Sequence, residues 1–193
     1  MSNFQIYFPT GFTHILDFAG IDHILFVATL CLGNAALQWK KLFWLITAFT
    51  IGHSISLALS TLQIIVLPQA LTELFIAITI LITAVYNIIN VWHAYRISSV
   101  FFYIITLSFG CIHGLGFSSL LLSLLGHEQS ILGPLFFFNI GLEAGQMIII
   151  GVILLLNYLL TGILRLRQNI WQFVTITLIA IVAITMIISR ISF

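Results

Sequence analysis

With 193 residues, 61% of them hydrophobic and 6% charged, and a mean hydropathy of +1.22, the chain lies far outside the composition of a soluble globular domain. A net charge of +1 without any dense basic run gives no reason to expect nucleic acid or an anionic surface as partner. What remains is an all-α polytopic membrane protein: a single transmembrane domain over residues 1–193, with the lipid bilayer as its first partner.

In chain order, the opening MSNFQIYFPTGFTH has no positive n-region and no apolar core ending in small residues, so it does not read as a cleavable signal peptide. Six stretches then meet the requirement of about 20 mainly apolar residues per crossing. They run over 15–37, 41–62, 68–91, 99–125, 132–160 and 170–189. Pro68 and Pro134 suit the first turns of the third and fifth helices, where a missing N–H is harmless. Lys40, Lys41, Arg96, Arg165 and Arg167 fall in the first, third and fifth connections, and Arg190 alone falls on the other side. By the positive-inside rule both termini face outward, as expected for a bacterial inner-membrane protein. A weak internal echo links FTIGHSISLAL in the second helix to FGCIHGLGFSSLL in the fourth: each has Phe four residues before His, with small residues one and three after it.

Ionisable side chains inside a bilayer are costly, so each is a functional hypothesis, sharpened if several converge. At about 1.5 Å per residue, His23 lies about 12 Å and His53 about 13 Å below the outer surface. His113 and Glu143 come out at about 17 Å, and Glu73 at about 8 Å. His23, His53, His113 and Glu143 thus come from four helices at comparable depth. Asn139, Glu143 and Gln146 recur at i, i+4 and i+7 as a polar stripe, while Gly110 and Gly114 clear space beside His113. Three imidazoles with one or two carboxylates suit a divalent transition metal. Cys31 and Cys111 form no ligand pair, and Cys111 should point away from His113. Glu73 reads as a residue favoured by the positive end of its helix, and His93, His127 and Glu128 as solvated loop residues. His14 and Asp17 either cap the first helix or form the outer mouth of an ion path through Asp22.

The blocks GFTHILDFAGIDHILF, FTIGHSISLAL, GCIHGLGFSS and FNIGLEAGQ together resemble the HupE/UreJ family of small membrane proteins, over about residues 11–146. The resemblance implies uptake of nickel or cobalt, with His14, Asp22, His23 and His113 matching the family's His-(spacer)-Asp-His and His-Gly motifs. Two departures stand out: seven residues separate His14 from Asp22 where five are usual, and Leu120 stands where a glutamate follows the His-Gly motif. Glu143 is then a candidate for the missing carboxylate.

The first functional expectation is a transporter of a divalent ion, nickel, cobalt or zinc, using His14, Asp22, His23, His53, His113 and Glu143. Asp17, Asn139, Gln146, Gly110 and Gly114 support that site. Metal and protons compete for imidazole, so protonation offers a route to release. The alternatives are an intramembrane zinc hydrolase using the same residues, with Glu143 or Asp22 activating water, and a metal sensor or assembly factor. An enzyme is the less favoured of these, and homo-oligomerisation stays open.

Overall fold

The computed structural model describes residues 2–17, 20–33, 39–93, 99–117, 121 and 130–191. Among them every regular element is helical: α1 (Asn3–Leu16), α2 (Ile21–Gly33), α3 (Trp39–Thr61), α4 (Gln69–His93), α5 (Ser99–Gly116), α6 (Leu132–Asn157) and α7 (Gln168–Ile191). The last turn of α6 widens into a π-helix over Tyr158–Ile163. Helices α3, α4, α6 with its π turn, and α7 are long and apolar enough to cross a bilayer. The pair α1 and α2 makes a fifth crossing if it is counted as one broken span. The protein is an integral membrane protein, and residues such as Ile82, Val85, Leu155 and Ile181 present exposed apolar surface suited to lipid.

The first expected span, over 15–37, is corrected. Helix α1 begins at Asn3 and ends at Leu16, Asp17 leaves it in an extended conformation, and α2 restarts at Ile21 with its axis bent by 69°. The break follows from the local chemistry of DFAGID: glycine is costly inside a helix, and Asp22 is favoured in a first turn, at the positive end of a new one. Gly20 N–H closes the turn onto the Asp17 carbonyl at 3.1 Å. Pro9 does not stop α1, and the Thr13 hydroxyl donates to the Pro9 carbonyl at 2.8 Å. In the fourth expected span α5 ends at Gly116, and residues 118–120 and 122–125 of that span lie outside the described residues. Arg96, Leu120, His127 and Glu128 lie outside the described residues.

Three helix pairs surround α2. In α3 and α5, Gly52 lies against the Leu107 carbonyl and Gly110 against the Phe49 carbonyl. In α1 and α6, Gly11 lies against the Phe138 carbonyl and Gly141 against the Phe8 carbonyl. Each contact is reciprocal, glycine to the partner's backbone. One turn on, Gly114 meets the His53 carbonyl and Gly145 the Phe12 carbonyl, so in both pairs the contacts ascend together and the helices run parallel. The echo between FTIGHS and FGCIHG therefore has a structural meaning: its two copies pack on each other. Without a hydrophobic drive between helices in lipid, such close backbone approach is what packing relies on. Helices α4 and α7 form the third pair and run antiparallel: Glu73 near the start of α4 meets Arg190 near the end of α7.

Helix α2 lies among these pairs, supplying Val27 and Cys31 to one buried core and Phe26, Leu30 and Leu32 to the other. Its last turn is held by buried amides from the third pair: Asn87 donates to the Thr29 carbonyl at 2.8 Å and Gln172 to the Leu32 carbonyl at 3.0 Å. Both carbonyls lie near the helix end, where partners for backbone groups run short.

Glu73 has a partner that helix position alone did not suggest. Arg190 Nε lies 3.3 Å from Glu73 Oε2, and its Nη1 donates to the Glu73 backbone carbonyl at 2.8 Å. Arg190 is also the cation that departed from the positive-inside pattern. A double-mutant cycle with Glu73→Gln and Arg190→Gln, read by thermal unfolding in detergent, should give a coupling of about 1 kcal/mol or less, as for a partly exposed pair.

Candidate metal centre

The break between α1 and α2 brings His14, at the last turn of α1, to His23, in the first turn of α2. Their ring centroids are 4.8 Å apart. His53 reaches the same place from the middle of α3, 6.4 Å from His23 between centroids. His14, His23 and His53 each offer a ring nitrogen, and the three nitrogens lie within 4.8 Å of one another. Donors on one ion at about 2.0–2.1 Å sit roughly 3.3 Å apart in tetrahedral geometry, so the triad can close on an ion by small side-chain shifts. His14 was expected at the outer mouth; it is a full member of the group.

Asp22 is not in this group but stands directly behind it. Its Oδ1 lies 3.0 Å from His23 Nδ1 and accepts the His23 backbone N–H at 2.9 Å. A carboxylate at Nδ1 favours the tautomer that leaves the Nε2 lone pair free, the usual way a metal-binding imidazole is oriented. His113 lies beside the triad, its ring 5.1 Å from that of His23. Its Nδ1 is 2.8 Å from the Phe109 carbonyl and donates to it, which turns Nε2 outward as an acceptor.

The ring nitrogens are short of protein partners. His14 Nε2, His23 Nε2, both nitrogens of His53 and His113 Nε2 are buried with no hydrogen-bond partner in the described protein. Buried polar atoms are nearly always satisfied, so five such nitrogens in one place call for a ligand.

An open cleft of about 420 Å³ is lined by Thr10, Thr13, His14, Leu16, Asp17 and Phe117. It places Asp17 and His14 on a common surface.

Glu143 is not brought to the imidazoles. Its Oε1 accepts the Thr47 hydroxyl at 2.7 Å, and one turn further on Gln146 Oε1 accepts the Thr50 hydroxyl at 3.1 Å. The expected polar stripe on α6 thus faces α3. Asn139 turns back on its own helix, donating to the Leu135 carbonyl at 2.7 Å. Gly110 and Gly114 act as closely packed helix contacts: Gly114 sits against the His53 carbonyl and the Ser56 hydroxyl.

A family model described as HupE / UreJ protein matches residues 1–190. The chain belongs to the HupE/UreJ family. No curated protein and no solved structure matches it. In this HupE/UreJ chain the residues that sequence reasoning missed are phenylalanines. Phe117 lies 3.9 Å from His14 with the rings tilted by 44°, Phe49 lies 5.1 Å from His113, and Phe138 lies 6.0 Å from His14 and 6.2 Å from His53, all between ring centroids. Phe26 completes the wall 5.6 Å from His113. The signal was present in Phe49-(x)3-His53, but in a chain with 17 phenylalanines a ring near a histidine carries little information. Together these rings form an aromatic wall against the imidazoles.

Proposed function

We propose that this protein carries a divalent transition-metal ion, nickel, cobalt or a similar ion, across a bacterial inner membrane. The observation that carries the reading is the His14, His23 and His53 triad at the break of the first span, its nitrogens mutually within 4.8 Å. Imidazole donors suit borderline ions of this kind and disfavour calcium and magnesium. A discontinuous membrane helix supports the same reading. Unwound backbone and half-helix ends at mid-membrane are the usual place for ion sites in transporters, where the C-terminal end of one half-helix favours a cation. The family membership points the same way, since the HupE/UreJ resemblance implies nickel or cobalt uptake.

Counting α1 with α2 as one crossing and α5 as another gives six spans, with both termini outside. The 18 residues of α5 reach about 27 Å, close to the thickness of the hydrocarbon core. The ion enters through the cleft beside Asp17 and exchanges water for His14, then for His23 and His53. His113, with Nε2 free, is the next imidazole in reach. Asp22 holds His23 in its binding tautomer and offsets the charge of the ion.

The test is uptake of Ni²⁺ or Co²⁺ into proteoliposomes loaded with a metal-sensing dye, together with the metal content of the purified protein. Saturable uptake supports transport, whereas tightly held stoichiometric zinc with no uptake would sink it in favour of a hydrolase or a sensor. Asp22→Asn should lower Co²⁺ affinity by roughly 10- to 100-fold while the protein stays folded, as for loss of a carboxylate behind a ligating histidine. Equilibrium dialysis against Co²⁺ checks it.

A further inference from the structure

The carboxylate that stands apart from the imidazoles marks a second place for the ion. Along α3, Thr50 and Thr47 lie about 4.5 and 9 Å from His53, on the side away from Ser56, whose turn packs against Gly114 of α5. Helix α5 runs parallel to α3 and leads on to Phe117 at the entrance cleft. Along α6, Glu143 and Gln146 lie about 7.5 and 12 Å beyond Phe138, whose ring borders His14 and His53. Two helices therefore place their polar side chains together, at the far side of the triad from the cleft.

The groups form a set of oxygens. Glu143 Oε1 accepts from Thr47, and among the described residues its other oxygen has no hydrogen bond. Thr50 and Gln146 are buried, Gln146 completely so, and among the described residues Gln146 Nε2 has no hydrogen-bond partner. An amide with a spare buried nitrogen, bonded to a threonine that can rotate its hydroxyl, can turn its oxygen toward a cation at little cost. A carboxylate, two hydroxyls and an amide oxygen make a harder donor set than three imidazoles.

We propose that Glu143, Thr47, Thr50 and Gln146 form a second, oxygen-lined station for the divalent ion, inward of the triad, which receives it as it leaves His53. This rests on the transport reading above. It supplies the first step of an exit that the imidazoles cannot provide: a multi-site path lets an ion leave a strong site by stepping to a weaker one. Glu143 is a ligand of the ion at this station and not of the triad.

Glu143→Gln is the discriminating variant, since glutamine keeps an oxygen for the Thr47 hydroxyl and removes the charge. Its Co²⁺ binding at the triad, read by the visible spectrum of the nitrogen-ligated ion, should be unchanged, while Co²⁺ uptake into proteoliposomes falls at least 10-fold. Uptake at the wild-type rate would overturn the proposal, as would a Co²⁺ spectrum lost together with uptake, which would return Glu143 to the triad. A second arm does not depend on transport. In the His23→Ala/His53→Ala protein, Mn²⁺ binding followed by electron paramagnetic resonance should persist and disappear when Glu143→Gln is added. Absence of Mn²⁺ binding in the double variant overturns the station. If the wild type moves no ion, the transport reading and the exit role fail together, while the Mn²⁺ arm still decides whether the oxygen site exists.

Discussion

His53→Ala is expected to abolish metal uptake and to weaken Co²⁺ binding by roughly 100-fold or more, a larger effect than loss of a supporting carboxylate. His53 is completely buried, and neither of its ring nitrogens has a hydrogen-bond partner among the described residues. Removing it therefore breaks no bond within the described protein, and it deletes two unsatisfied polar atoms from the interior. The loss of packing against Phe49 and Phe138 leaves a cavity, but the buried polar groups no longer carry their desolvation cost, and the two effects oppose each other. The variant should thus elute as a folded species and melt near the wild type while failing to bind or transport. This split between fold and function is the signature of a ligand. A packing histidine would show the reverse, lower thermal stability with uptake retained, and that result would remove His53 from the site. His14→Ala provides the gradation. His14 is only half-buried and lies on the entrance cleft, so its loss should slow uptake at low Co²⁺ more than at saturation.

The membrane character of the chain was legible because hydropathy is an average over about 20 residues, and single substitutions hardly move it. For α3, α4, α6 and α7 the expected and observed limits differ by a few residues at most, apart from the π turn that extends α6. The first span was not legible in the same way. A window long enough to detect a crossing averages over Asp17, Gly20 and Asp22, which are the residues that break it. The N-terminal segment, moreover, hides its apolar face among Thr10, Thr13 and Pro9. Its packing partner is α6, and the Gly11 and Gly141 contacts that specify this partner are long-range.

The site was legible in kind and not in membership. Depth along each helix grouped His23 with His53, whose ring nitrogens lie close together with that of His14, but depth is a single coordinate. It could not distinguish His113, which stands next to the triad, from Glu143, whose side chain turns toward Thr47. Azimuth around the helix axis decides this, and it depends on which helices pair. The same limit applied to Glu73, whose sequence position suggested a dipole effect while its side chain binds an arginine 117 residues away. A pattern separate from the internal echo also carried packing information. Phe-x-x-Gly in α1, α3 and α6 provides, each time, a carbonyl and a glycine one turn apart for a reciprocal contact.

Gly110→Leu is expected to eliminate the folded protein. A side chain at this position would meet the Phe49 carbonyl and the His53 amide, which are backbone groups of α3 and cannot rotate away. A leucine would have to push α5 off α3, separating the Gly52 and Leu107 contact as well and exposing buried surface for which lipid offers no equivalent packing. Fluorescence-detected size exclusion should show loss of the monodisperse peak. Gly151→Leu is the matched control, because nothing lies within 4 Å of a Cβ there, and it should leave the peak unchanged. Equal behaviour of the two variants would mean that the α3 and α5 contact is not a determinant of the fold. Gly110→Ala tests how closely fold and site are coupled. The displacement it forces is smaller, so the bundle can survive it. Phe49 and His53, however, stand on the segment of α3 that must give way, and His53 must remain within ligand distance of His23. Co²⁺ binding should therefore be lost at a smaller perturbation than the fold, because a backbone displacement that helix packing can absorb exceeds what a coordinated ion tolerates.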